Sequence, residues 1–147
     1  MQNISGFGLI VNLIASSTFP LGLTITEFAD DSDPLDLPAV QIADSAMGLN
    51  GDLITWSTAN PLIVTLNVIP GSEADIGLGI LLEANRVSRG KIGARDTITM
   101  VLNYPSGNFV TLINGIITDG MPSSAVSSEG RLNTKNYSFS FESRIGA

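Results

Sequence analysis

Two charge clusters stand out in the chain. Four acids, Asp30, Asp31, Asp33 and Asp36, fall within residues 30–36, and four bases, Arg86, Arg89, Lys91 and Arg95, fall within residues 86–95. Carboxylates spaced like Asp31, Asp33 and Asp36 could hold calcium. A calcium loop counted from Asp31 needs Gly at its sixth position and Glu at its twelfth, and the chain has Asp36 and Ile42 there. The run Arg89-Gly90-Lys91-Ile92 is similar to the end of a phosphate-binding loop. That motif needs Gly five residues before the Gly-Lys pair and Ser or Thr after it, where this chain has Asn85 and Ile92. Gly77-Leu78-Gly79 lacks the third glycine of a dinucleotide fingerprint. No metal and no cofactor is expected.

Catalytic chemistry is equally sparse. The chain has no His and no Cys, which excludes Ser-His-Asp and Cys-His mechanisms and removes the commonest general base and metal ligands. Paired carboxylates could hydrolyse a glycoside, but among 14 acids no pair is singled out. The chain is therefore not expected to be an enzyme.

Charge is unevenly distributed. Residues 1–85 hold ten acids and no base, and residues 86–147 hold four acids and seven bases, for a net charge of −7. An acidic balance argues against nucleic-acid binding, which needs a basic stripe to neutralise phosphates. The 147 residues suit one domain spanning 1–147 and are 44% hydrophobic but only 14% charged. A monomer usually covers itself with more charge, about 25%, so oligomerisation is expected to hide part of this surface. The apolar run at 7–15 is preceded by no base and followed by no cleavage-like site, and it is too short to span a bilayer. Neither a signal peptide nor a membrane span is expected.

Turn signals divide the chain into short strands around one helix. Strands are predicted at 8–15, 21–28, 40–49, 52–58, 62–69, 96–104, 109–117 and 132–144. Four Asp and two Pro make 29–38 an exposed acidic loop, and 118–130 is a Ser/Gly/Pro loop. Asn50-Gly51 predicts a type I′ hairpin. Ser72 predicts a helix N-cap with Asp75 in the capping-box position, and the helix is expected to stop near Gly90. The dipole of such a helix explains Arg86 and Arg89, but not Lys91 and Arg95. Gly77 and Gly79 weaken the helix by about 1 kcal/mol each and are tolerable if another backbone packs closely there. In the last strand Tyr137, Phe139 and Phe141 share one face and Asn136, Ser138, Ser140 and Glu142 the other, the pattern of a sheet with one buried and one wet face. The expected architecture is mainly β, a sandwich or barrel-like fold of about seven to nine strands with one inserted helix.

The Pro70-Gly71-Ser72 helix start, the Glu83-Ala84-Asn85-Arg86 helix end, the basic turn, the hairpin at 104–108 and the closing strand from Gly130 to Glu142 carry a resemblance. Across residues 38–143 the chain resembles the tail tube proteins of contractile-tailed bacteriophages. The resemblance implies a β-sandwich with a flanking helix, six subunits joining their inner sheets into one wide barrel, and rings that stack. It implies a lumen that houses the tape measure protein and then passes DNA without sequence-specific binding. The implied partners are further copies of the chain, the tail sheath protein, and baseplate and tail terminator proteins. The implied location is the virion tail, assembled in the host cytoplasm.

Within that frame, Asp30, Asp31, Asp33 and Asp36 are expected to meet Arg86, Arg89, Lys91 and Arg95 across a subunit or ring boundary, or the bases face an acidic sheath. Strand alternation offers Asp44, Asp52 and Glu142 as lumen-facing. Two alternatives share the residues: a tube from a phage-derived contractile device, such as a bacteriocin or type VI secretion system, and a β-sandwich binding module on a tail fibre or in a lectin.

Overall fold

The computed structural model describes residues 7–29 and 33–146; Asp30 and Asp31 of the acidic loop lie outside the described residues. The chain order is β1 (Ile10–Ala15), β2 (Phe19–Ile25), β3 (Leu35–Asp36), β4 (Ala43–Met47), β5 (Leu53–Ser57), β6 (Leu62–Val68), α1 (Glu73–Asn85), β7 (Ile98–Asn103), β8 (Phe109–Gly120) and β9 (Lys135–Gly146). Seven strands form one antiparallel sheet in the order β2-β1-β7-β8-β9-β6-β3, and β4 and β5 form a separate hairpin. The mainly β, sandwich-like architecture with one helix is as expected. The sheet curls without closing into a barrel. Past the end of β2 the chain crosses to β6, where Phe28 bridges to Val68, Ala29 N–H donates to the Asn67 carbonyl (3.0 Å) and Ile69 N–H to the Glu27 carbonyl (3.1 Å).

Period-two alternation builds the core. Val11 and Leu13 of β1, Val64, Leu66 and Val68 of β6, Ile98, Met100 and Leu102 of β7, and Tyr137, Phe139 and Phe141 of β9 are buried in one cluster. Helix α1 covers this face with Ala74, Leu78 and Leu81. Ser72 caps the helix by accepting from Asp75 N–H at 3.2 Å, and Gly71 N–H donates to the Asp75 carboxylate at 2.9 Å. That carboxylate is buried, accepts the Tyr137 hydroxyl at 2.9 Å and pairs with Lys135 at 3.4 Å. One Asp thus completes the cap and ties the helix to β9. Burial, and then the Asp75 carboxylate it faces, push the Tyr137 phenol well above its ordinary range, so it remains a donor.

Several local expectations are corrected. Gly48 N–H donates to the Asp52 carbonyl (2.7 Å) and Gly51 N–H to the Gly48 carbonyl (3.0 Å), with positive φ at Gly51 and not at Asn50. This is a three-residue loop of a type I turn followed by a left-handed glycine, not type I′. β8 runs three residues beyond 117, because Asp119 pairs with Ser138 and Gly120 with Tyr137. Helix α1 stops at Asn85, so Arg86 is its C-cap and Arg89 lies in the next turn. What packs on Gly77 is the Leu23 side chain rather than a backbone: an added Cβ would lie 2.8 Å from Leu23 Cδ2.

The segment after the helix is clasped at its base. Asn85 Nδ2 donates to Asp96 Oδ2 (2.8 Å), Asp96 N–H returns to Asn85 Oδ1 (2.8 Å), and Ala94 N–H donates to the Ala84 carbonyl (2.8 Å). Asp96 is buried and also accepts the backbone N–H groups of Ser17 (2.7 Å) and Thr18 (3.1 Å) and the Thr18 hydroxyl. The β1–β2 turn, the helix end and the start of β7 therefore meet at one carboxylate.

Two predictions follow from this packing. An added Cβ at Gly115 would lie 2.3 Å from Phe141 Cδ1, so Gly115→Ala is expected to cost about 1–3 kcal/mol through overpacking, read by denaturant unfolding. Burial pushes the Asp96 carboxyl up, but the hydrogen bonds from Thr18, Asn85 and Ser17 outweigh it and hold the group below its ordinary value. Its contribution is therefore present above the unfolded carboxyl value of about 3.9 and is lost as pH falls through the lowered folded value. Asp96→Asn is expected to lose about 2–3 kcal/mol at neutral pH and to flatten the acid limb of the melting-temperature profile.

Candidate assembly surface

The 86–95 segment divides its four bases. Arg86 grips Glu83 with two hydrogen bonds, Nη2 to Oε1 at 2.9 Å and Nε to Oε2 at 3.1 Å. Lys91 reaches the same carboxylate at 3.3 Å and donates to the Glu83 carbonyl. Hydrogen bonds from Arg86 and then Lys91 hold the Glu83 carboxyl down to about 2. Lys91, bonded to a carbonyl of the last helical turn, is thus the base that serves the helix end. Arg89, assigned that task from its spacing, does not serve it. Arg89 and Arg95 are exposed and have no hydrogen-bonding or ionic partner among the described residues. Arg95 sits in the left-handed region at φ 56°, which turns the chain into Asp96.

The acidic counterpart lies on a different edge. Asp36 is paired in β3 against Thr65 of β6, and the Asp33 carbonyl accepts from Asn67 Nδ2 at 2.6 Å. Both residues are exposed, and among the described residues no ion pair joins either of them to the basic segment.

The outward face of the large sheet mixes Thr, Ser and Asn with apolar residues such as Ile63, Val101 and Ile116, and carries no positive charge among its paired rows. Across β6, β9 and β8 the outward rows read Thr65, Ser138, Asp119 and Ile63, Ser140, Ile116. Across β1, β7 and β8 they read Asn12, Val101, Thr111. Thr24 Oγ1 donates to Asn12 Oδ1 at 3.0 Å, and the Thr65 and Ser138 hydroxyls lie 3.2 Å apart. Glu142 belongs to this face and accepts from Asn114 Nδ2 at 3.1 Å. Asp44 and Asp52 do not join it, because they sit on the separate hairpin. Asp119 does join it; the Thr-Asp-Gly run reads as a turn in sequence, and only its pairing to β9 identifies it as strand. The bases lie elsewhere: four at 86–95, Arg131 in the β8–β9 connection, Lys135 inward against Asp75, and Arg144 near the end of β9 beside Leu102 and Leu112.

Apolar side chains left exposed mark two more faces. Ile76 and Ile80, one turn apart on α1, are 58% and 52% exposed. The β4–β5 hairpin is exposed along both strands. No helix among the described residues is long and apolar enough to cross a membrane.

Solved structures share this fold. No curated protein matches the sequence. Among solved structures, the chain is similar to one from the sheath/tube terminator of an extracellular contractile injection system, PVC, in its extended state: TM-score 0.56, 15% identity, covering 100% of this chain and 98% of that one. It is similar to a chain of the anti-feeding prophage (AFP) baseplate, with TM-score 0.58, 10% identity and coverage of 100% and 96%. A chain of the AFP tube terminating cap gives TM-score 0.51, 15% identity and coverage of 100% and 92%. At these identities the likeness is one of fold. The family described as "Tail fiber protein gp32" matches residues 2–144. Nearly the whole chain is covered by that match, and the chain belongs to this phage-tail family.

Proposed function

We propose that the chain is a non-enzymatic structural subunit that assembles with copies of itself into rings, and that these rings stack into the tube of a phage tail or a phage-derived contractile device. The observation that carries this reading is the outward sheet face, where Thr, Ser and Asn with Asp119 and Glu142 are interspersed with Ile63, Ile116 and Val101 and no base appears. A wall of this kind lets a polyanion slide, since only a basic wall would hold phosphates by releasing counterions. Joining such sheets edge to edge also removes exposed strand edges. In this reading the face lines a lumen for the tape measure protein and DNA, and the opposite side, with α1, Ile76 and Ile80, turns toward a sheath. Baseplate and terminator proteins meet the tube ends. The fold shared with terminator, baseplate and cap chains supports the reading without choosing among repeated ring, end ring and baseplate ring.

Arg89 and Arg95 are the bases of the 86–95 segment left for an intermolecular contact, with Asp30, Asp31, Asp33 and Asp36 of a neighbouring copy as the proposed partners. One exposed pair contributes only about 0.2–1 kcal/mol, but repetition round a ring fixes register and disfavours wrong docking. A second reading, a binding module of a tail fibre, is favoured by the family's description. A binding module should form a small discrete oligomer whose melting temperature rises with a cell-surface glycan.

Negative-stain electron microscopy of the purified chain separates these readings. Long hollow tubes support a repeated subunit, single rings an end-ring role, and monomers under all conditions contradict both. Reversing Arg89 and Arg95 to Glu is expected to leave the melting temperature unchanged and to shift assembly to higher protein concentration, with weaker salt dependence. Unchanged assembly and salt dependence would sink the charge contact.

A further inference from the structure

The β4–β5 hairpin has no interior. Every residue of Ala43–Met47 and Leu53–Ser57 is exposed, including Met47 at 65%, Leu53 at 64% and Trp56 at 47%. A lone two-stranded ribbon is marginal in water, and this one carries apolar side chains on both sides. Its base is nevertheless pinned: Thr58 N–H donates to the Ile42 carbonyl at 3.0 Å, and Asn60 Nδ2 to the Gln41 carbonyl at 2.9 Å. Cross-strand pairing places Asp44 opposite Trp56, so one face presents an indole beside a carboxylate.

The same chain carries a matching concavity. A groove of about 270 Å³ is lined by Leu62, Ile63, Leu102, Tyr104 and Leu112, with Arg144 as its only charged lining residue. The stem that leads into the hairpin, Leu37 to Val40, supplies one wall, so the hairpin leaves from the rim of its own groove. The Arg144 guanidinium donates to the Gly146 carbonyl at 2.9 Å and has no carboxylate partner among the described residues. The volume is below the roughly 300–1,000 Å³ of a site for a drug-sized ligand and is on the scale of a large side chain.

We infer that this groove receives the β4–β5 hairpin of a second copy of the chain, with Trp56 entering the apolar floor and Asp44 meeting Arg144. Charge selects that occupant: residues 39–61 hold two acids, Asp44 and Asp52, and no base, while the groove has one base and no acid. Because hairpin and groove are different surfaces of one chain, two copies either exchange hairpins in a two-fold dimer or join head-to-tail, which closes into a ring or continues as a filament. This rests on the self-assembly reading and names the residues that carry one of its contacts. It also gives Asp44 a partner on protein rather than a place in a lumen.

A charge exchange tests it, read by sedimentation and by circular dichroism melting. Asp44→Arg, Arg144→Asp and Trp56→Ala, all at exposed positions, are each expected to keep the melting temperature. Each is expected to weaken assembly by about tenfold or more. An equimolar mixture of Asp44→Arg and Arg144→Asp chains is expected to regain assembly, because every hairpin then meets a groove of opposite sign. A mixture no better than its components would overturn the inference, as would variants that assemble like the native chain or a native chain monomeric at every concentration. Native tubes unaffected by the variants would sink the hairpin contact and leave the tube standing. Compact oligomers lost on reversal and regained on mixing would uphold the contact and sink the tube.

Discussion

The aromatic row of β9 sets the terms for everything packed around it. Phe139 and Phe141 stack with centroids 6.3 Å apart, and Tyr137 extends the row to the buried Asp75. The outer two of these three rings leave no room for a side chain on the strand opposite, so β8 places Gly115 under Phe141 and Gly120 beside Tyr137, with Ile117 opposite Phe139 between them. Leu112 and Gly115, three residues apart, both face the core, and a bulge with Asn114 in the left-handed region absorbs the odd residue. The Tyr137 hydroxyl then reaches the carboxylate that completes the cap of α1. One strand thereby fixes the helix position, the bend of the sheet and the register of its neighbours.

That inner constraint is what leaves the outer face available. With the rings, the buried Lys135 and the helix all on one side, the other side of β6, β9 and β8 carries Thr, Ser and Asp side chains in paired rows with Ile63 and Ile116. Positive charge collects where the chain leaves the helix, and there Glu83 draws in Arg86 and Lys91. The charge asymmetry of the sequence is thus partly closed within the fold, where Glu83 takes Arg86 and Lys91 and Asp75 takes Lys135, and it leaves Arg89 and Arg95 on the surface.

Strand alternation made much of this readable from sequence: the faces of β6 and β9, the Ser72 cap and the order of elements all follow from local pattern. What was not readable depends on partners distant in the chain. Thr118-Asp119-Gly120 has the composition of a turn and becomes strand only because β9 is long enough to pair with it. Spacing assigns the helix end to Arg89 rather than Lys91, and only the turn at Ser88–Lys91 shows that it is Lys91 that folds back on Glu83. Asp96 reads as an ordinary strand-entry acid, yet its acceptors gather donors from residues nearly 80 positions away. The isolation of the β4–β5 hairpin was equally hidden, since Asn50-Gly51 marks a hairpin without saying whether it packs on the sheet.

Cryo-electron microscopy of the assembled protein, at a resolution that traces strands, tests the central claim most directly. The predicted map has the rows of Asn12, Thr65, Ser138 and Glu142 facing the axis, with α1 and Arg89 away from the lumen. A map with α1 and the 86–95 segment lining the lumen, or with the polar sheet face turned to the outside, would contradict it.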